Sequence, residues 1–215
     1  MKSLLLGFTL ILAGSITASA SVMISYSNTG SLDDGNIVFN GPGTSKVDPI
    51  VGRIGGTDFL YGFDSSELLK ADASGQARVE AVDGSYATLS FFSMSGSVFT
   101  SAIFNLNVYD PIGKDKPQDG QVTFQINLVG EPDYFETFNV SKNGNNFFTI
   151  QSVGGEQMES VSFTTTTQLA DLRQLRIGGT TDPGGQVPEP ASMGLLGLGL
   201  SGIALLARRR KAKNA

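Results

Sequence analysis

Val122-Thr123-Phe124-Gln125-Ile126-Asn127-Leu128 places an apolar side chain at every second position and a polar one between. Successive side chains of an extended chain point to opposite faces, so this stretch reads as a β-strand with one face buried and one wet. A helix would scatter the same four apolar residues around its surface instead of gathering them into a stripe. The fold class follows from this stretch: all-β.

Working outward, Phe104-Asn105-Leu106-Asn107-Val108 alternates in the same way, and the segment Asp110 to Gly120 between the two is a polar loop. Gln76 to Val82 and Ser85 to Phe92 read as strands joined at Asp83-Gly84, a strong hairpin signal. Asn36 to Phe39 and Phe59 to Phe63 are short apolar strands, and Asp64 to Lys70 reads as one helical turn with Asp64 as N-cap and Glu67 at N3. Downstream, Tyr134 to Val140, Asn146 to Gln151, Ser160 to Thr165 and Leu172 to Ile177 are strands, with Asn143-Gly144 and Gly154-Gly155 as turns. About nine short strands at regular spacing, each with one apolar face, predict a single antiparallel β-sandwich over residues 21–177, jelly-roll-like in connectivity.

Both ends of the chain read differently. Residues 178–186 (Gly-Gly-Thr-Thr-Asp-Pro-Gly-Gly-Gln) form a flexible linker. Residues 187–215 begin Val187-Pro188-Glu189-Pro190, continue through an uncharged apolar run at 191–207, and end in a basic tail at 208–213 headed by Arg208-Arg209-Arg210-Lys211. Seventeen residues at ~1.5 Å each make a helix of about 25 Å, the short end of a single transmembrane helix. The basic cluster marks its cytoplasmic end and stops transfer. Gly197-Leu198-Gly199-Leu200-Ser201-Gly202 has a dinucleotide-loop spacing, but neither the strand nor the acidic residue such a loop needs accompanies it.

Val187-Pro188-Glu189-Pro190-Ala191-Ser192, then a Gly/Leu-rich helix, then arginines, resembles the sorting signal of PEP-CTERM proteins. The same tail is elsewhere called an ice-binding protein C-terminal domain, a label that concerns the anchor and gives no reason to expect ice binding. The resemblance implies a temporary anchor in the inner membrane of a Gram-negative bacterium, cut near Pro188-Glu189-Pro190 by an exosortase-type sorting enzyme. It also implies a setting rich in extracellular polysaccharide. Gly75 to Ala81, Asn143 to Ile150 and Asp171 to Gly179 resemble stretches in the exported domains of other PEP-CTERM proteins, which implies a domain boundary and no activity.

At the other end, Met1-Lys2-Ser3 precedes the apolar run Leu4 to Ile16, and Ala18-Ser19-Ala20 has the small-x-small form of a signal-peptidase site. Residues 1–20 are therefore a signal peptide, cleaved after Ala20. The two ends agree on orientation: a periplasmic ectodomain on an inner-membrane-anchored precursor, then delivery to the cell surface or outside. The chain holds 15 Lys and Arg and 20 Asp and Glu. Without Lys2, the five tail bases and Glu189, nine basic and nineteen acidic residues remain, a net charge of −10 for the exported part. Such a charge repels nucleic acid.

The chain has no His and no Cys, which removes zinc and copper sites, Ser-His-Asp and Cys-His chemistry. Paired carboxylates remain as the only readable enzymatic chemistry, and no pair stands out, so a non-enzymatic protein is expected. No cofactor is expected. Calcium is the more plausible ion, since oxygen-only ligands suit it, with candidates at Asp33-Asp34, Asp115 to Asp119 and Glu131 to Asp133. A sugar-binding module would need exposed aromatic platforms, and without Trp these are Tyr26, Tyr61, Tyr109 and Tyr134. Arg173 and Arg176 sit on the last strand, where pairing with an acid is expected. Asn139-Val140-Ser141 fits a glycosylation sequon, a weak signal in a bacterium. The role read from all this is structural or adhesive, associated with exopolysaccharide or biofilm; the alternatives are a lectin-like module and, third, a carboxylate-based glycoside-active enzyme.

Overall fold

Alternation in sequence becomes alternation in burial: along Gly120–Leu128, Val122, Phe124, Ile126 and Leu128 are buried while Gln121 and Thr123 face solvent. A computed structural model describes residues 22–27, 35–39, 49–72, 77–94, 96–110 and 116–182. Twelve strands account for the regular structure: β1 (Val22–Ser25), β2 (Ile37–Val38), β3 (Ile50–Ile54), β4 (Leu60–Asp64), β5 (Leu69–Asp72), β6 (Arg78–Ala81), β7 (Tyr86–Ser93), β8 (Ser101–Val108), β9 (Gly120–Leu128), β10 (Tyr134–Val140), β11 (Asn146–Ser152) and β12 (Met158–Gly178). Every pairing is antiparallel, and no helix occurs among the described residues.

Two expectations need correcting. The helical turn at Asp64 to Lys70 does not form: Asp64 ends β4 and Leu69 opens β5. The hydroxyls there are drawn sideways onto β7, with Ser65 Oγ donating to the Thr88 carbonyl and Ser66 Oγ 3.1 Å from Thr88 Oγ1, while Leu69 and Ala71 alternate into the core. Ser160 to Thr165 and Leu172 to Ile177 are one strand, the 21-residue β12. Between them Leu169 and Asp171 keep partners on β6, β7 and β8 while the register shifts, so the chain bends without breaking.

β12 ties the molecule together. Its first part, Met158 to Thr165, lies between β7 and β9; its second, Leu169 to Gly178, lies beside β8 and, at Asp171 to Arg173, beside β6. The hydrogen-bonded order is therefore β10-β9-β12-β7-β4-β3-β2 along the first part and β1-β11-β8-β12-β6-β5 along the second. The register shifts between Thr164 and Leu169, where the buried Thr165 hydroxyl reaches the carbonyls of Thr167 (2.6 Å) and Ala87 (3.2 Å). An irregularity of this kind re-aims a strand at small cost in hydrogen bonds. A second shift lies between Arg173 and Arg176, with Gln174 at φ 58° and its N–H donating to the Ala77 carbonyl.

The inner faces of these two strand sets meet in one aromatic core. Phe104 of β8 packs against Phe91 of β7, Phe124 of β9 and Phe163 of β12 at 5.6, 5.8 and 6.5 Å between centroids. Phe148 of β11 meets Phe124 edge-on at 4.9 Å and Phe138 of β10 at 5.6 Å. Rings at these separations add to the area they remove from water. Phe63, Phe91, Phe99, Phe104, Phe124, Phe148 and Phe163 are buried in the interior, and among the described strands four edges remain, at β1, β2, β5 and β10.

Candidate functional site

The four candidate tyrosines separate cleanly. Tyr61 is fully buried beside Phe99, with its hydroxyl 3.2 Å from Thr180 Oγ1, so it is core and offers no platform to a ligand. Its burial was hidden in sequence because Leu60, its neighbour on β4, takes the exposed face. Tyr134 is half-buried; its hydroxyl donates to Glu136 Oε2 at 2.9 Å, and burial together with that carboxylate raises its pKa. Tyr26 is half-exposed, standing edge-on to Phe148 and donating to Asn146 Oδ1 at 2.7 Å. Tyr109 stands at the end of β8, its N–H donating to the Gln168 carbonyl.

Tyr109 lines a cleft of about 440 Å³ with Asn107, Asp110, Glu80, Lys142, Asn143 and the two turn glycines Gly84 and Gly144. The walls are hairpin ends. Gly84 (φ 108°) closes the turn between β6 and β7, and Gly144 (φ 74°) followed by Asn145 (φ 60°) closes that between β10 and β11. Left-handed backbone of this kind is what Gly and Asn tolerate. A side chain on Gly84 would stand 3.6 Å from the Tyr109 ring, and one on Gly144 would stand 3.2 Å from Asn107 Oδ1. The glycines keep the ring face and the amide open. The cleft thus sets an aromatic ring beside amides, an ammonium and carboxylates, groups that can stack on and hydrogen-bond a polar ligand. Asn107, Lys142 and Asn143 were not singled out from sequence, because Asn143-Gly144 reads there only as a turn.

The floor beside this cleft is an ion-pair ladder. Asp171 is buried, with its side chain 4% exposed, and Arg173 grips it. Arg173 Nε donates to Oδ1 and its terminal nitrogen to Oδ2, both at 2.7 Å, and these bonds raise the Arg173 pKa. Arg78 bridges Asp171 (3.7 Å) and Glu80 (2.8 Å), and Lys70 reaches Glu80 at 3.1 Å. The pairing expected for an arginine of the last strand is found at Arg173, on the face opposite Leu172 and Leu175. Arg176 lies beyond the Gln174 irregularity, bridged to Asn36.

A larger, more apolar groove of about 770 Å³ runs along the end of β10, lined by Tyr26, Phe138 and Val140 with Asp119, Gln121, Asn139 and Ser141 at its rim. Asp119 accepts the Lys142 N–H (2.8 Å), and Asp133 accepts from Gln125 Nε2 (2.8 Å). No group of three or more acids that would hold a metal ion stands among the described residues. Asp33, Asp34 and Asp115 lie outside them. Asn139 is exposed on β10.

Ala18, Ala20, Val187, Pro188, Glu189, Pro190 and Arg208, Arg209, Arg210 and Lys211 also lie outside the described residues, as do the signal peptide and the apolar run 191–207. Among the described residues no helix is long and apolar enough to cross a membrane. Residues 186–211 match the family model of the PEP-CTERM protein-sorting motif. No curated protein and no solved structure matches the chain. The matched motif implies an exported protein that passes through a membrane-held precursor and meets an exosortase-type processing enzyme.

Proposed function

We propose that this chain is an exported, non-enzymatic protein of the bacterial surface or extracellular matrix, sorted by its C-terminal signal and acting structurally or adhesively among exopolysaccharide. The carrying observation is the sorting motif at residues 186–211, joined to an all-β domain without His or Cys. Residues 1–20 act as the signal peptide, 191–207 as a transient inner-membrane anchor with a periplasmic ectodomain, and Arg208 to Lys211 as the stop. The ectodomain is a β-sandwich whose two layers share β12. Mass spectrometry of the surface protein tests this: a C-terminus near Val187 to Pro190 is expected, and an intact basic tail on the delivered protein would overturn it.

A second reading, a sugar-binding module, is favoured by the Tyr109 cleft. Binding of the host's own exopolysaccharide to the full-length protein, compared with Tyr109→Ala and with and without calcium, tests it. A loss of at least tenfold on removing the ring is expected. Equal binding by both proteins would send sugar recognition elsewhere.

A further inference from the structure

We propose that β10 is an assembly edge through which two copies of this chain pair antiparallel about Thr137, joining their sheets into one. Exposed strand edges carry unpaired N–H and C=O groups, and proteins blunt them by shortness, Pro, bulges or charged side chains, Lys above all. Three of the four edges are blunted here: β1 has four residues, β2 has two, and β5 has four with Lys70 among them. β10 runs seven residues, Tyr134-Phe135-Glu136-Thr137-Phe138-Asn139-Val140, with no Lys, Arg, Gly or Pro, and its one charge, Glu136, is already engaged by the Tyr134 hydroxyl at 2.9 Å. It pairs with β9 alone among the described strands.

The strand is self-complementary in one register. With Thr137 opposite the second copy's Thr137, Glu136 faces the second copy's Phe138, Tyr134 faces its Val140, and Phe135 faces its Asn139. A register centred on Glu136 would set two carboxylates directly opposite, which is destabilising. The Thr137 register also extends a pattern already present. Thr137, Thr123, Thr164 and Thr88 stand side by side across β10, β9, β12 and β7, with Thr123 Oγ1 and Thr137 Oγ1 2.9 Å apart. Pairing would carry this hydroxyl row across the seam. On the other face, the second copy's Tyr134 comes to the mouth of the groove lined by Tyr26, Phe138 and Val140. Strand addition of this kind takes affinity from main-chain bonds and selectivity from pockets for alternate side chains.

The absence of cysteine makes a direct test. The central Cα atoms of an antiparallel pair lie about 4.5–5.5 Å apart, within disulfide reach. Full-length Thr137→Cys under mild oxidation is expected to give a covalent dimer, while Thr123→Cys, one strand further in on each copy, stays monomeric. Equal cross-linking at both positions would assign association to another segment, such as 191–207, and overturn the proposal; so would failure of both. Thr137→Lys, an exposed change, is expected to remain monomeric in sedimentation at concentrations up to at least tenfold above that at which the parent dimerises, and mixing it with Thr137→Glu is expected to restore dimers. Unchanged association of Thr137→Lys would overturn the proposal, whereas restoration by the opposite charge excludes a folding defect as the cause.

Discussion

Arg173 and Asp171, two positions apart on β12, are joined at two points: both carboxylate oxygens accept from the guanidinium at 2.7 Å. The fork satisfies a carboxylate that β6, β8 and the arginines cover almost completely. A guanidinium fits this geometry, and an ammonium does not.

Arg173→Lys should therefore destabilise nearly as much as Arg173→Ala, by about 2 kcal/mol, because a buried acid loses charged hydrogen bonds. Urea unfolding of the two variants checks it. Asp171→Asn should cost less than either, since no charge is left buried unpaired.

Left-handed backbone sets opposite outcomes at two neighbouring positions. Gln174 holds φ 58° with a side chain, so Gln174→Gly should raise stability by up to about 1 kcal/mol. Gly179 holds φ 65°, and a Cβ there would run into Thr100 Oγ1. Gly179→Ala should destabilise by at least ~1–2 kcal/mol, with Thr100→Ala restoring part of the loss in the double mutant. Thermal melts of the three variants read both effects.

Phe104→Ala removes the ring that touches Phe91, Phe124, Phe148 and Phe163 at once. The expected loss is about 3–5 kcal/mol, the upper range for a core aromatic. Phe135→Ala, on an exposed ring, should fall within about 0.5 kcal/mol of the parent.

Tyr86 sets an alkaline limit. It is fully buried, its hydroxyl donates to the Val79 carbonyl at 3.3 Å, and burial with Asp171 and Glu80 nearby pushes its pKa well above the ordinary 10.0. The native state holds this proton more tightly than the unfolded chain. Its contribution is thus fully present below pH 10.0 and is lost as the pH climbs toward the folded value. Tyr86→Phe should lose about 1 kcal/mol at neutral pH and show a flatter decline above pH 10.0, measured by denaturant midpoints against pH.

Much of the site was legible only in fragments. Tyr109 stands out as a candidate platform, but its companions Asn107 and Lys142 come from a strand and a turn far apart in sequence. Tyr61 is equivalent to Tyr109 in sequence and differs from it through the pairing of β4 with β7, which sets Phe99 against its ring.

Read alone, the chain yields the all-β class, the span of β10 to the residue, the hairpin turns at Gly84 and Gly144, and a sorting signal opening at Val187. Each is a local property: side-chain period, left-handed φ, or a motif in fixed order. Tertiary pairing alone joins two apparent strands into one β12, places a register shift at Gln174 between Arg173 and Arg176, and leaves β10 as the longest edge among the described strands. Those depend on which strands lie on either side, and a neighbour across a sheet leaves no mark on the period of the strand it pairs with.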